Sequence, residues 1–272
     1  MSFKKLSYKI LSALIAGALF TGCFVSSTGG GAVGVNRKQI FLISAQTMDE
    51  SAARAYVQTL SSARQERALN VNPVMTKRVR DIAIKLASQV GVFRQDALRW
   101  KREVNVIDSG SLNAWCMPGG KIAVYSGIIE KLNLTDGELA AILGHEMAHA
   151  LREHSREQAS NDQLKNIGIF AVAQASGMGE VGANLLNLAA TYGISLPFSR
   201  SHEREADRIG AELMARAGYD PNEAVNVWVK MSKSGDNAIP EILSTHPSNE
   251  SRIKDLKQTV KLVYPLFERA VN

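Results

Sequence analysis

The sequence GHEMAH at residues 144–149 decides the fold, and it lies inside a predicted helix. His145 and His149 are four residues apart, so on a helix they project from one face about one turn apart and can bind one metal ion. Glu146 follows the first histidine, where a carboxylate can deprotonate a zinc-bound water. The neighbouring residues are mostly apolar, which predicts a buried central helix. Two solvent-exposed histidines on an ordinary helix are the alternative.

A catalytic zinc site needs a third protein ligand, and the sequence SHEREAD at residues 201–207 offers candidates on a second predicted helix. Glu203 and Asp207 are four residues apart and share a face. A carboxylate ligand at Glu203 would leave Asp207 to orient a ligating histidine. His202 and Glu205 are alternative ligands. A solvated, salt-bridged helix face explains the segment as well, because arginines alternate with its acidic residues.

The remaining pattern predicts a helix-dominated α+β domain with a small sheet. Thr135 followed by Glu138 is a capping box and begins the central helix, which is expected to end at Arg152. Apolar spacing and turn residues predict other helices at 48–69, 73–90, 155–176, 202–217, 221–234 and 248–260, and strands at 103–108 and 121–125. No internal repeat is visible, so residues 48–272 are expected to form one domain.

Residues 1–22 resemble a bacterial lipoprotein signal peptide. Lysines precede an apolar run at Ile10–Phe20, and small residues lead to Cys23, the expected lipidation site. Phe20 stands where such a signal usually has leucine, and an uncleaved anchor or ordinary signal peptide is the alternative. Residues 23–47 are rich in Ser and Gly at first and are expected to form the lipidated N-terminus and a flexible tether. No Asp follows Cys23, and the resemblance to bacterial lipoproteins then implies a periplasmic protein anchored in the inner leaflet of the outer membrane.

The net charge argues against a nucleic-acid-binding protein, and the cysteine content argues against an intramolecular disulfide. The net charge of +6 falls to about +3 without the three lysines of the leader, and no basic run with interleaved aromatics remains. Nucleic-acid binding is therefore not expected. If Cys23 carries lipid, Cys116 has no intramolecular disulfide partner, and it is expected to be a small buried hydrophobic residue.

The two motifs together resemble the gluzincin family of CAAX prenyl proteases and HtpX-like peptidases, and within it the BepA-like and LoiP-like periplasmic lipoprotein peptidases. H-E-x-x-H is followed about fifty residues later by S-R-x-x-E-x-x-A-D, which stands here as SRSHEREAD at residues 199–207. The resemblance implies a zincin-like fold, with Glu146 as general base and Asp207 orienting a ligand. It also implies one zinc ion per chain and three protein ligands: His145, His149 and Glu203.

The resemblance further implies a strand that pairs with an extended substrate. The residues that match this edge strand come shortly before the Pro-Gly-Gly at 118–120: Asn113, Ala114 and Trp115. An ordinary strand-to-turn connection is the alternative. His246, in an H-P-x-x-x-x-R segment, is expected to reach the open position of the zinc as a regulatory fourth ligand, or otherwise to cap the next helix. His154 follows His149 by five residues, which on a continuous helix turns it off the ligand face, so a structural role is expected.

These features predict a zinc metalloendopeptidase that cleaves unfolded or misassembled proteins of the cell envelope. Its expected partners are extended protein substrates, and a membrane through the lipid anchor; no protein partner can be named. The alternative is a chaperone-like outer-membrane assembly factor, in which His246 silences the zinc site and the cleft only holds extended clients. An intact Glu146 favours the peptidase, because a pure binding protein has no need of a general base.

Overall fold

The computed structural model describes the backbone of residues 24–175, 198–233, 241–246 and 250–272, and their side chains except those of residues 168–175. The leader and Cys23 lie outside these residues, so lipidation stays a prediction. The prediction of a helix-dominated α+β domain with a small sheet is confirmed. In the described part of the chain, no helix combines the length and the apolar character that crossing a bilayer requires.

Helices make up most of the described residues. Their bounds are α1 (Ala45–Gln65), α2 (Pro73–Ala87), α3 (Ser126–Lys131), α4 (Asp136–Leu151), α5 (His154–Ala175), α6 (Arg200–Arg216), α7 (Asn222–Lys233), α8 (Glu241–Thr245) and α9 (Glu250–Val271). The longer helices begin within three residues of the positions that the sequence predicts, whereas α9 continues well beyond its predicted end. The short helices α3 and α8 were not predicted, because five or six residues carry too little periodicity to identify a helix.

Helix α4 is the centre of the domain. Thr135 and Glu138 form the predicted capping box, in which each side chain bonds the backbone N–H of the other residue. Nearly every residue of α4 is buried, including all those from Glu138 to Leu151. A helix that is apolar on all sides has to be covered on all sides, and helices α2, α6 and α7 and the sheet pack around it. The motif at residues 144–149 therefore lies in the protein interior.

A three-stranded sheet lies beside α4, and the strand that comes last in the sequence lies in its middle. Strands β3 (Glu103–Ile107) and β5 (Lys121–Tyr125) are parallel, whereas β4 (Ala114–Met117) runs antiparallel to β5. Gly119 and Gly120 make the turn between β4 and β5 with φ values of 77° and 78°, which glycine adopts without a steric penalty. Strand β4 is thus an edge of this sheet and packs against α4.

Residues 24–43, expected to belong to a flexible tether, are instead folded against the helical domain. Strands β1 (Phe24–Val25) and β2 (Gln39–Ile40) pair in antiparallel fashion. Three apolar side chains between and after them are buried: Val33, Val35 and Phe41. Gly31 and Gly34 have φ values of 59° and 68°, so these glycines serve turns rather than flexibility. Composition alone does not separate these two uses of glycine, and the tether prediction is corrected for this segment.

Candidate metal centre

Gly144 on α4 and Gly210 on α6 let these helices cross in backbone contact. A Cβ atom at Gly210 would lie 2.8 Å from the backbone nitrogen of His145, and one at Gly144 would lie 3.0 Å from the Gly210 carbonyl oxygen. Both distances are shorter than ordinary contact, so the crossing requires glycine on both helices. It brings Glu203 of α6 against the face of α4 that carries the two histidines.

Four side chains converge between α4, α6 and the end of α8. The Nε2 atoms of His145 and His149 are 3.1 Å apart, and each lies 3.5 Å from an oxygen of Glu203. His246, directly after α8, places Nδ1 3.3 Å from His145 Nε2 and 3.0 Å from Glu203 Oε1. All four residues are at most 4% exposed. Their ligand atoms are close enough together to hold one metal ion.

The spacing and chemistry of His145, His149 and Glu203 fit zinc, the metal that the sequence predicts. Two atoms bound to a tetrahedral zinc at 2.0–2.1 Å lie about 3.3 Å apart, which is close to the observed 3.1 and 3.5 Å. Glu203 Oε2 is buried and accepts no hydrogen bond from the described residues. Arg252 Nη1 lies 2.7 Å from it as an ion pair. Arg252 therefore balances the charge of Glu203 without donating a hydrogen bond to Oε2. This oxygen keeps a lone pair for a cation.

Asp207 lies behind His145 and orients it. Asp207 Oδ1 is 3.0 Å from His145 Nδ1, and since a carboxylate only accepts, the histidine carries its proton there and presents Nε2 to the metal position. Arg252 donates to both oxygens of Asp207, at 2.6 and 2.9 Å. Burial raises the pKa of the Asp207 carboxyl, but Arg252 and His145 outweigh burial and lower it below its usual value. Asp207 therefore stays charged and able to accept.

Glu203 is held in its charged form as well. Burial raises the pKa of its carboxyl, yet the neighbouring imidazoles of His145 and His246 and the charge of Arg252 hold the pKa well below its usual range. A metal ligand has to be deprotonated. These neighbours therefore prepare Glu203 for binding a cation before the cation arrives.

Glu146 differs from Glu203, because burial dominates its environment. The residue is 3% exposed, and its Oε1 accepts no hydrogen bond from the described residues. His246 Nε2 lies 3.5 Å from the same oxygen. Burial raises the pKa of the Glu146 carboxyl more than the charges of His246 and His145 lower it. A carboxylate with a raised pKa is a stronger base than an exposed glutamate, which suits general acid–base catalysis.

The alternative ligands His202 and Glu205 lie apart from the four converging side chains. His202 Nε2 is 3.1 Å from Glu157 Oε2. Glu205 Oε2 lies 3.0 Å from Arg152 Nε and 3.1 Å from His154 Nε2. The histidine and the acidic residues of the SHEREAD segment are buried, so the alternative interpretation as a solvated helix face does not hold.

His154 occupies a position that helix geometry excluded. Glu153 has a φ of 53° and separates α4 from α5. The rotation of 100° per residue that holds within a continuous helix therefore does not apply between His149 and His154. His154 Nδ1 lies 3.0 Å from His149 Nδ1, and the expectation that His154 points away from the ligands is corrected.

Two further residues lie beside His145 and its hydrogen-bond partner Asp207. The Trp228 ring of α7 meets the His145 ring edge-on, with centroids 5.3 Å apart. The guanidinium carbon of Arg252 lies 4.0 Å from the Trp228 ring centroid, a cation–π contact. Arg252 carries a sequence signal, its spacing of six residues from His246. No such signal marks Trp228, because its place depends on how α7 packs against α4.

The residues expected to bind substrate lie on or next to the edge strand β4. Asn113 immediately precedes β4, and its Oδ1 accepts a hydrogen bond from the Ala114 N–H at 2.9 Å. The Tyr125 N–H donates to the Asn113 carbonyl at 3.1 Å. Because backbone groups alternate along an antiparallel ladder, those of Ala114 and Cys116 face the open edge. The half-buried Trp115 side chain projects to the opposite face of the sheet from Cys116.

Comparison with known proteins adds the family and several relatives. Residues 73–260 match Peptidase family M48. The chain is 33% identical over 234 residues to "Mitochondrial metalloendopeptidase OMA1" of Arabidopsis thaliana, which covers 86% of this chain and 44% of that protein. The Schizosaccharomyces pombe protein of the same name is 36% identical over 173 residues, which cover 62% of this chain and 49% of that protein. The "Beta-barrel assembly-enhancing protease" of Escherichia coli K12 is 25% identical over 205 residues, which cover 72% of this chain and 41% of that protein. The chain spans about half the length of these relatives.

These relatives correct the expected location. The Arabidopsis and Schizosaccharomyces pombe proteins are mitochondrial by name, and so are two further relatives, from cattle and Saccharomyces cerevisiae. They contradict the prediction of a periplasmic protein in the inner leaflet of the outer membrane, which is wrong. Residues 1–22 are basic and contain no acidic residue, a composition that secretory signals share with organelle-targeting segments. The leader therefore does not decide the compartment.

The family assignment rests on sequence and geometry together. The family match covers well over half of the chain, and the resemblance seen in the two motifs is confirmed. Inside the matched region, the structure brings His145, His149 and Glu203 into a site that can hold a metal, and zinc is the metal that this family uses. The chain belongs to peptidase family M48.

Proposed function

We propose that the chain is a zinc-dependent endopeptidase that cleaves extended segments of unfolded or misassembled proteins. The observation that carries this proposal is Glu146, a buried carboxyl with a raised pKa and an oxygen without a hydrogen bond from the described residues. It follows His145 directly in the sequence and lies next to three ligands of the type that zinc takes in hydrolytic sites. The relatives' names, metalloendopeptidase and protease, support the same reaction class.

The residues of the chain divide the chemical work among them. A zinc ion held by His145, His149 and Glu203 would act as a Lewis acid and lower the pKa of a bound water. Glu146 Oε1 accepts the proton of the attacking water and then donates it to the nitrogen of the departing amine. Asp207 keeps His145 in the tautomer that presents Nε2. The burial of these groups strengthens their electrostatic interactions with the reacting peptide bond.

Strand β4 offers the place for the substrate. Strand β4 packs against α4, the helix that carries Glu146. An extended peptide that pairs with the Ala114 carbonyl and with the backbone groups of Cys116 would pass beside Glu146. Such pairing reads the backbone rather than particular side chains. It therefore favours unfolded segments, whose backbone groups are free, over folded proteins.

A chaperone-like assembly factor is the second candidate, and the position of His246 favours it. His246 Nδ1 lies 3.0 Å from Glu203 and Nε2 lies 3.5 Å from Glu146, so the imidazole stands between the ligands and the proposed base. There it would fill the fourth place around a metal and block hydrolysis. The E. coli relative is named as assembly-enhancing. The retained Glu146 favours the peptidase, since holding a client requires no base.

The two candidates are separated by incubating the purified chain with unfolded casein. We expect cleavage that a chelator abolishes and added zinc restores. Glu146→Gln is the matched control: it keeps the shape of the side chain and the metal ligands, so it should retain zinc and lose cleavage. If zinc-loaded wild-type protein binds casein without cleaving it, the assembly factor is favoured instead.

A further inference from the structure

A second group of charged and polar side chains lies directly behind the candidate metal centre, and hydrolysis as described above does not use it. It joins two histidines, two acidic residues and two arginines: His154, His202, Glu157, Glu205, Arg37 and Arg152. All except Arg37 are buried. Burying so many polar groups costs free energy unless each is paired, which raises the question of what this network does.

A second metal site is the first possibility, because His154, Glu157 and His202 are close enough to share an ion. Most of their side-chain atoms already have partners, however, and His202 Nδ1 is the exception among these three residues. Glu157 accepts hydrogen bonds from Arg37 at 2.6 and 2.9 Å and from Gln39 at 2.7 Å, and Nε2 of each histidine contacts a carboxylate. The two arginines balance the two acids, so a divalent cation would add unbalanced charge. The group is therefore a hydrogen-bonded network.

One path through this network ends on a proposed metal ligand. His149 has its Nε2 at the centre, 3.5 Å from Glu203 Oε1, so Nδ1 is the nitrogen that faces away. This Nδ1 lies 3.0 Å from His154 Nδ1. On its far side, His154 places Nε2 3.1 Å from Glu205 Oε2. His154 thus bridges a metal ligand and a buried carboxylate.

The protons along this path have one consistent arrangement when both imidazoles are neutral. A carboxylate only accepts, so His154 carries its proton on Nε2 and donates it to Glu205. Its Nδ1 is then bare and accepts from Nδ1–H of His149. His149 is thereby fixed in the tautomer whose Nε2 lone pair is free for a metal, since the hydrogen bond at one ring nitrogen decides which nitrogen can bind the ion.

Glu205 is itself held by two arginines from distant parts of the chain. Arg152, which follows α4, places Nε 3.0 Å from Glu205 Oε2. Arg37, from the folded segment 24–43, donates from Nε to Glu205 Oε1 at 2.6 Å. That segment precedes residues 73–260, the part matched to the family. The arrangement around His149 therefore extends beyond the family domain.

We infer that His154, anchored by Glu205, is a positioning residue that fixes the orientation and tautomer of His149, as Asp207 does for His145. Arg37 stabilises this arrangement from the N-terminal segment. The inference rests on the proposed function only in taking His149 as a zinc ligand; it does not require that the chain cleaves casein. It gives His154 a role in metal binding rather than in packing alone.

Zinc affinity, measured by competition with a chromogenic chelator, tests this inference. His154→Leu removes both hydrogen bonds at similar volume, and zinc affinity should fall by about 10–100-fold. His154→Gln should recover most of it, because the amide can accept from His149 and donate to Glu205. His202→Leu is the matched control: it removes a buried imidazole that stacks on His154 at 4.4 Å and should leave the affinity near that of the wild type.

A spectroscopic readout separates positioning from packing. In 15N-labelled protein, the Nδ1–H proton of zinc-bound His149 should give a protected imidazole signal in the wild type and in His202→Leu, and the signal should be lost in His154→Leu. Arg37→Ala leaves every histidine in place and keeps the inference testable if His154→Leu does not fold. Its zinc affinity should fall less than that of His154→Leu.

Three results would overturn the inference: wild-type affinity in folded His154→Leu, equal losses in the two leucine variants, or wild-type affinity in Arg37→Ala when His154→Leu does not fold. Failure of the proposed function looks different. A wild-type chain that binds zinc but leaves casein intact contradicts the peptidase proposal alone, and the affinity series above still decides the role of His154. A wild-type chain that binds no zinc overturns both.

Discussion

Replacing Gly210 with alanine tests how far the metal centre depends on the crossing of α4 and α6. The added Cβ would lie 2.8 Å from the backbone nitrogen of His145, about 0.6 Å short of the 3.4 Å at which ordinary contact begins. Backbone atoms cannot rotate away, so the helices have to separate by about that amount. Such overpacking costs about 1–3 kcal/mol, and the better helix propensity of alanine returns up to about 1 kcal/mol. If alanine gains the full amount of about 1 kcal/mol, a net loss of up to about 2 kcal/mol in the free energy of unfolding is expected.

The same separation affects the ligands. Glu203 lies seven residues before Gly210, two turns along the same face of α6. Its oxygens are 3.5 Å from Nε2 of both His145 and His149, and moving α6 away from α4 lengthens these distances. Gly210→Ala should therefore weaken zinc binding as well as lower stability, even though residue 210 contacts no ion.

Urea unfolding of the zinc-free chain, followed by circular dichroism, measures the first effect, and chelator competition measures the second. Gly29→Ala is the control, because a Cβ at Gly29 would meet nothing closer than 3.5 Å, which is ordinary contact. This control should be as stable as the wild type or more so. Wild-type stability together with wild-type zinc affinity in Gly210→Ala would refute the argument from the helix crossing.

Three substitutions test the proposed ligand roles. Glu203→Gln should weaken zinc binding much more than Glu205→Gln, because Glu205 faces His154 and Arg152 rather than the four converging side chains; metal analysis after dialysis measures both, and the reverse order would show that the wrong carboxylate was chosen. His246→Ala should raise casein turnover at unchanged zinc content, since the imidazole lies 3.0 Å from Glu203. A tenfold gain needs only about 1.4 kcal/mol of bias toward the closed arrangement, whereas a fall in turnover would indicate that His246 stabilises the transition state.

The central helix and its chemistry follow from the sequence, because the features that determine them are local. The capping box at Thr135 and Glu138 fixes where α4 begins, and the apolar residues around the motif require burial. A spacing of four residues places His145 and His149 on one face whatever surrounds the helix. The zinc ligand type and the family resemblance come from the same short stretches of sequence.

The third ligand is identified partly from the sequence and partly from the structure. Glu203, Glu205 and His202 lie within four residues of one another, and the pattern alone leaves all three open. The resemblance selects Glu203. The geometry that turns this residue toward the histidines comes from the contact of Gly144 with Gly210, a pair whose distance in the sequence is far beyond the reach of any helical period.

Only the tertiary structure decided what lies behind the ligands. The break at Glu153 turns His154 toward His149, and the segment 24–43 brings Arg37 to Glu205, 168 residues away. Trp228 reaches His145 in the same way, through the packing of α7. Periodicity and composition report which face of an element is buried, because burial depends on the apolar residues of that element. They do not report which distant element covers that face, because this depends on how the whole chain packs.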